Sequence, residues 1–240
     1  MHDTNLNPSV FAVDLVNPYR TYVHDYPEVL FPYPQAAALQ ARLALRFGAA
    51  GTGQGRLHVE LGAGSGNFLV EMALRHPQDH FVGFELRYKR LVRSAQKLER
   101  EDRSNVWLLK AMGESFHQYC PPQSVDHLYL QFPDPWPRAS QWKKRMVSGA
   151  FLERLAQVLR PGGVFHLKTD HSGYFLHVLA LLNGRQDWRL RAWSNHLHRD
   201  VLTQDGRSTD LLAVQVKTEF ERLFISQHKP VYYLALEKPL

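Results

Sequence analysis

The sequence predicts an α/β fold, a mostly parallel sheet with helices on both faces, on three observations. Short apolar runs alternate with amphipathic segments of helical length, the pattern of strands joined by crossover helices. A glycine cluster, Gly62-Ala63-Gly64-Ser65-Gly66, sits where the first such run gives way to a helix. The string Phe132-Pro133-Asp134-Pro135-Trp136-Pro137 closes a later run, and prolines so placed end a central strand in a loop at its carboxyl edge.

The elements follow in order. Residues 1–34 are dense in aromatics and prolines, with Tyr19, Tyr22, Tyr26, Phe31 and Tyr33 among Pro18, Pro27, Pro32 and Pro34. The prolines argue against any regular element and the aromatics against free disorder, so this is an arm packed on the domain or ordered by a partner. Residues 35–240 then read as one domain. Gln35–Phe47 is helical, and Gly48–Gly55 is a loop. Strands are expected at Leu57–Leu61, His80–Glu85, Val106–Leu109, Val125–Phe132 and Val164–Thr169, and helices at Phe68–Leu74, Leu86–Arg103, Met146–Leu159 and Gly173–Leu182. Trp188–Trp193 and Val231–Glu237, apolar runs on either side of a polar stretch at 194–210, are expected to close the sheet edge as a hairpin-like pair.

Composition narrows the class. Hydrophobic residues make up 44% of the 240, enough for a sizeable core, yet no stretch nears the ~18 apolar residues of a membrane span. Asp3, Asp14, Asp25 and Glu28 against Arg20 alone give the first thirty residues the wrong charge for a secretory or transit peptide. Cys120 is the single cysteine, which excludes an internal disulfide and fits a reducing cytoplasm. The net charge is +6, with basic residues clustered at Arg87, Lys89, Arg90, Arg93, Lys97, Arg100, Arg103 and Lys110, and again at Arg138, Lys143, Lys144 and Arg145. A basic folded domain of this kind attracts nucleic acid.

The glycine cluster lies at the carboxyl edge of the sheet, where open α/β folds bind ligands. Gly62, Gly64 and Gly66 let the backbone approach a ligand closely. Two carboxylates flank them: Glu60 at the end of the first strand and Glu85 at the end of the second, 25 residues on. Glu85 is placed to accept both hydroxyls of a ribose. Glu60 discriminates between cofactors. An anion beside the loop repels a pyrophosphate, disfavouring a nicotinamide dinucleotide, and suits a ligand bearing an ammonium and a cationic sulfur. In the proline-stiffened loop, Asp134 and Trp136 suit a planar base, the carboxylate accepting ring N–H groups and the indole stacking.

The strings Glu60-Leu61-Gly62-Ala63-Gly64-Ser65-Gly66, Gly83-Phe84-Glu85-Leu86, Phe132-Pro133-Asp134-Pro135-Trp136-Pro137, Lys168-Thr169-Asp170 and Thr218-Glu219-Phe220-Glu221 together resemble the tRNA (guanine-N7)-methyltransferase family, from about Leu57 to Lys238. The resemblance implies a Rossmann-like class I methyltransferase fold with a mostly parallel seven-stranded sheet, S-adenosylmethionine as cofactor and a variable-loop guanosine of tRNA as substrate. It implies that Glu60 and Glu85 bind the cofactor, and that Asp134 both contacts the cofactor and serves as the catalytic residue. It places Arg138 at a substrate-contacting Lys, Asp170 at a substrate-contacting Asp, and Thr218, Glu219, Phe220 and Glu221 on the family's late substrate segment. Trp136, Lys143, Lys144 and Arg145 complete the expected substrate surface. This sequence departs from the family at Glu219, which replaces a Lys, at Met112, which stands where an Asp reads the cofactor's adenine with Glu114 two residues on, and at 139–141, where basic residues are missing. Those departures leave two alternatives: a diverged methyltransferase of this fold acting on another RNA or a small molecule, and a non-catalytic cofactor- or RNA-binding subunit. A monomer or homodimer is expected, with no obligatory protein partner, no metal and no membrane. His196 and His198, with His171 or His177, lack the carboxylate or cysteine framework of a metal site. Trp188 and Trp193 read as core, and Cys120 as buried and inert.

Overall fold

A computed structural model describes residues 17–32, 35–48, 54–199 and 216–240. The rest of the arm, most of the glycine-rich loop before Leu57 and most of the polar stretch after Ser194 lie outside the described residues.

Its elements, in order, are α1 (Tyr19–Tyr22) and a 3-10 turn at Val23–Asp25, β1 (Leu30–Phe31), α2 (Ala36–Phe47), β2 (Leu57–Leu61), α3 (Asn67–Arg75), β3 (His80–Phe84), α4 (Tyr88–Arg100) and β4 (Val106–Leu109). A 3-10 turn at Gly113–Ser115 leads into α5 (Phe116–Tyr119), followed by β5 (Val125–Gln131), a 3-10 run at Ala139–Lys144, α6 (Gly149–Val158), β6 (Leu159–Thr169), α7 (Ser172–Leu181), β7 (Arg189–Ser194), α8 (Glu219–Ser226) and β8 (Tyr232–Glu237). The strands form one sheet in the order β1-β4-β3-β2-β5-β6-β8-β7. All neighbours are parallel except β8, which runs antiparallel to both β6 and β7.

The two late apolar runs pair as expected, but β8 inserts between β6 and β7 rather than lying outside them. The sheet has eight described strands rather than seven, and the extra one corrects the reading of the arm. Between Pro27 and Pro32, Leu30 and Phe31 pair with Leu108 and Leu109 at the edge, where the Val29 carbonyl accepts from Leu108 N–H at 2.6 Å. Two residues need few ladder bonds, so flanking prolines do not prevent the pairing. The helix expected from Met146 begins at Gly149 because Ser148 caps it, its Oγ accepting from Phe151 N–H.

Each face of the sheet has its own apolar layer. Leu39, Leu43, Phe116, Phe151, Leu152, Leu155 and Phe175 pack on one, and Phe68, Leu69, Met72, Leu91, Ala95 and Leu98 on the other. The second face also carries buried polar groups. Asp79 and the Tyr129 hydroxyl bracket His58, and His166 links His127 to the Tyr233 hydroxyl. Trp188 is buried as expected, but Trp193 is 37% exposed because β7 is an edge strand. Cys120 is buried, and burial pushes its thiol up to about 12.

From β2 the chain winds outward through β3 and β4, then returns to lay β5 on the other side of β2. The carboxyl ends of β2 and β5 therefore form a topological switch point, the place where such sheets open a ligand crevice.

Candidate active site

A cleft of about 990 Å³ opens at that switch point, lined by the glycine loop, both strand-end carboxylates, the proline loop and the start of α8. The glycine loop leaves it room. Gly64 has φ +59°, and a side chain there would project into open space, whereas at Gly66, φ +74°, it would strike Ser94 Oγ at 2.7 Å. One glycine thus keeps space for a ligand and the other lets the loop sit on α4. Gly62 shares the left-handed conformation and the open space.

Glu60 is 3% exposed. Its Oε1 accepts from Gln131 Nε2 at 2.9 Å, while Oε2 is buried without a partner. Burial pushes its carboxyl up to about 8, only partly offset by Gln131 and the Lys168 charge. Glu85, also buried, is tied to the backbone: Oε1 accepts from Leu86 and Arg87 N–H, and Oε2 from Gly64 N–H, with Arg90 at 3.7 Å. Three amides fix the carboxylate at the cleft wall and leave lone pairs for further donors. The residues fit a cationic ligand with vicinal hydroxyls, because an orphaned buried acceptor and open space at two glycines lie side by side.

Asp134 and Trp136 line the cleft. The loop that carries them is held in an unfavourable shape: Phe132 has φ +52° and Trp136 φ +42°, a region bulky side chains rarely adopt. Its anchors offset that strain. Phe132 N–H donates to Lys168 O at 2.8 Å, and its ring packs on Phe224. Arg145 Nε donates to Pro135 O at 2.9 Å and Nη1 to Gly173 O at 3.0 Å.

Arg145 is therefore a correction. It was expected on the substrate surface, but it is 4% exposed and ties the proline loop to the start of α7, with its guanidinium on the rings of Trp142 and Tyr174. Of the neighbouring bases, Lys144 lines the cleft with its ammonium over Trp136, and Arg138 and Lys143 are exposed nearby in sequence but outside the lining. Asp170 follows β6 and is likewise outside it. Glu114 lines the cleft, whereas Met112 is 54% exposed and does not.

The late segment divides in two. Thr218, Glu219 and Phe220 line the cleft. Glu221, expected to meet substrate, is fully buried and organises the fold: it completes the capping box with Thr218, binds Lys168 Nζ at 2.7 Å and lies 3.1 Å from His198 Nε2. Burial alone would raise its carboxyl, but the His198 and Lys168 contacts outweigh that and hold it below the usual range. Glu219 accepts from Ser65 Oγ at 3.0 Å and from Asn67, fastening α8 to the glycine loop.

The sequence reading missed Gln131, Lys168 and Asn67 as site-building residues, and it missed the cleft-facing side of α4, formed by Arg87, Arg90, Arg93, Lys97 and Arg100. For α4 the signal was present as basic residues at steps of three and four, which place them on one helical face. Among the described residues no three metal-binding side chains cluster, and no helix is long and apolar enough to cross a membrane.

A mostly parallel sheet with a glycine loop and two strand-end carboxylates at its switch point has the architecture of a class I methyltransferase. Comparisons agree. A family described as "Putative methyltransferase" matches residues 54–234. The tRNA (guanine-N(7)-)-methyltransferase of Limosilactobacillus fermentum is 33% identical over 184 residues, 77% of this chain and 81% of the relative. That of Enterococcus faecalis is 30% identical over 211 residues, 88% and 91% of the two chains. A bifunctional glycosyltransferase/methyltransferase of Fusobacterium nucleatum is 30% identical over 92% of this chain, which spans 33% of that protein's length. In fold the chain is similar to the 16S rRNA methyltransferase KamB, with TM-score 0.54 at 15% identity over 88% of this chain and 95% of that one. It is similar also to TrmN from Thermus thermophilus, with TM-score 0.51 at 19% identity over 85% and 48%. The chain belongs to the tRNA (guanine-N7)-methyltransferase family.

Proposed function

We propose that the chain methylates N7 of a variable-loop guanosine in tRNA, with S-adenosylmethionine as donor. The observation that carries this reading is the meeting, in one cleft, of the orphaned Glu60 carboxylate with the strained Asp134–Trp136 loop. The family's named members support the substrate.

S-adenosylmethionine supplies a methyl group already activated on a cationic sulfur. Glu60 would take the cofactor's ammonium on Oε2, Glu85 its ribose hydroxyls, and Glu114 stands on the cleft wall for the adenine side. Gly62 and Gly64 leave the space that this requires. Guanine N7 carries a lone pair and no proton, so the chain needs no general base and its task is placement. Asp134 accepts hydrogen bonds from N1–H and the exocyclic amine, holding the base by the edge opposite N7. Trp136 restricts tilt, and the Phe132–Lys168 and Arg145 hydrogen bonds keep the strained loop from relaxing. The base has to leave its stack in tRNA to reach this position. Thr218 and Phe220 add to the cleft wall, and Lys144, which lines it, would meet the surrounding RNA together with Arg138, Lys143 and Asp170 outside the lining.

The test is methyl transfer from labelled S-adenosylmethionine to an unmodified tRNA transcript, followed by nucleoside analysis. Formation of 7-methylguanosine by the wild type, and its loss in Asp134→Ala, supports the reading. A different methylated nucleoside, or cofactor binding with no product, overturns it.

A further inference from the structure

We propose that helix α4 and its N-cap Arg87 form a phosphate-binding rail, on which Arg87, Arg90, Arg93 and Arg100 hold the RNA backbone along the cleft wall on the β3 side of the switch point. The inference rests on the RNA substrate proposed above and assigns that substrate a second contact surface, separate from the segment after β5.

The first observation is alignment. Residues 87, 90, 93, 97 and 100 recur at steps of three and four, and all five line the cleft that holds Glu60, Glu85 and Asp134. At 1.5 Å per residue they span roughly 20 Å, far longer than a small cofactor needs. The acids of the same stretch, Glu99, Glu101 and Asp102, stay outside the lining.

The second observation is missing countercharge. Arg87 and Arg93 are exposed and form no ion pair among the described residues. Arg90 reaches Glu85 only at 3.7 Å, and Arg100 makes only a bond from Nε to its own helix, at Gln96 O. Lys97 is the exception that fixes the rail in place: it donates to the Ser65 backbone carbonyl at 2.9 Å and to Asn67 Oδ1, while the Ser65 hydroxyl and the Asn67 side-chain amide donate to Glu219. Partial burial, with the charges of Arg100 and Arg93 adding to it, lowers its ammonium below the usual range. These cations therefore repel one another, and the two acids near them, Glu85 and Glu219, are both already bonded to the glycine loop.

The third observation is chemical. The cofactor proposed for this cleft has an ammonium, a sulfonium and one carboxylate. It is a net cation and cannot neutralise a row of arginines, and the cleft carboxylates are positioned for that cation. The ligand that completes the other wall is an anion with several charges spaced along a length, which is a nucleic-acid backbone. Such contacts orient the RNA and carry no base preference, so they serve all substrate tRNAs alike.

The test compares the full-length wild type with Arg93→Gln, Arg100→Gln and the double variant. A control double variant, Arg46→Gln with Arg154→Gln, removes two exposed cations outside the cleft. Equilibrium binding to unmodified tRNA is measured from 50 to 200 mM salt, with cofactor affinity measured in parallel. The rail predicts that each single substitution reduces the slope of log affinity against log salt by about 0.7–0.9, and the double by about twice that. Affinity in the double falls at least about tenfold in 0.1 M salt, while cofactor affinity matches the control. A double variant with the slope and affinity of the control, in a protein whose wild type methylates tRNA, overturns the rail and leaves the proposed function standing. Failure of the wild type itself to bind tRNA removes both.

Discussion

Glu60→Gln tests how the cleft takes up a cation. Glu60 is buried, and its carboxyl is pushed up to about 8. At pH 7 about nine in ten copies then hold a proton, and ionising the group costs about 1.4 kcal/mol, the value of one pH unit. A cation at Oε2 favours the carboxylate, so binding S-adenosylmethionine must expel that proton. Linkage gives the sign: below pH 8 the free site holds a proton that the complex lacks, so affinity rises with pH and levels above about 8. The expected result is a Kd that falls about tenfold per unit between pH 6 and 7, with close to one proton released per site at pH 7. Titration calorimetry in two buffers of different ionisation heat reads both quantities. Glu60→Gln keeps the shape and removes the charge. Its affinity above pH 8 should fall by the worth of a charge-assisted hydrogen bond, about 1.5–3 kcal/mol, and its pH dependence should vanish. A wild-type Kd that is flat from pH 6 to 8, or an unchanged slope in Glu60→Gln, would refute the reasoning.

Three further outcomes are expected. Asp134→Ala should lower kcat by about 100-fold or more through lost base placement, with a much smaller change in cofactor Kd, and equal losses in both would contradict a positioning role. Lys168→Met removes the ammonium from the buried Glu221 carboxylate and leaves it His198 and the Thr218 amide, so urea unfolding should show a loss of about 3 kcal/mol, and a loss under 1 kcal/mol would show that the pair does not secure α8. Burial lowers the imidazoles of His58, His127 and His166, the last two well below the usual value. As pH falls below about 6.5 the unfolded chain therefore takes protons that the native fold refuses, and stability drops; Glu60, protonated in the fold up to about pH 8, acts in the opposite sense but with one proton against several histidines, so the net change is a loss. A urea midpoint unchanged from pH 7 to 5.5 would contradict this.

Periodicity made the sheet legible because its central strands are short apolar runs buried on both faces, which propensity and pattern describe without tertiary help. It could not show Leu30–Phe31 as a strand, since that pairing is supplied by the exposed edge of β4 and not by the two residues themselves. The cleft carboxylates were legible from their places at strand ends. The roles of the basic residues were not, because charge in a sequence has no direction. Lys144 and Arg145 are neighbours, yet one lies over Trp136 in the cleft and the other is buried under the proline loop. Similarly, Thr218-x-x-Glu221 spells a capping box, but only packing shows that Glu221 also neutralises Lys168 beneath the site. The strain at Phe132 and Trp136 was equally hidden, since nothing in either residue type asks for positive φ.

The central claim is placement of one guanine with N7 toward the methyl donor. Mapping the methylated position on a full-length tRNA transcript, by chain cleavage at 7-methylguanosine, tests it most directly. The account predicts a single cleavage in the variable loop with the wild type and none with Asp134→Ala. A methyl group on another base or on ribose, or cleavage scattered over many guanosines, would contradict it.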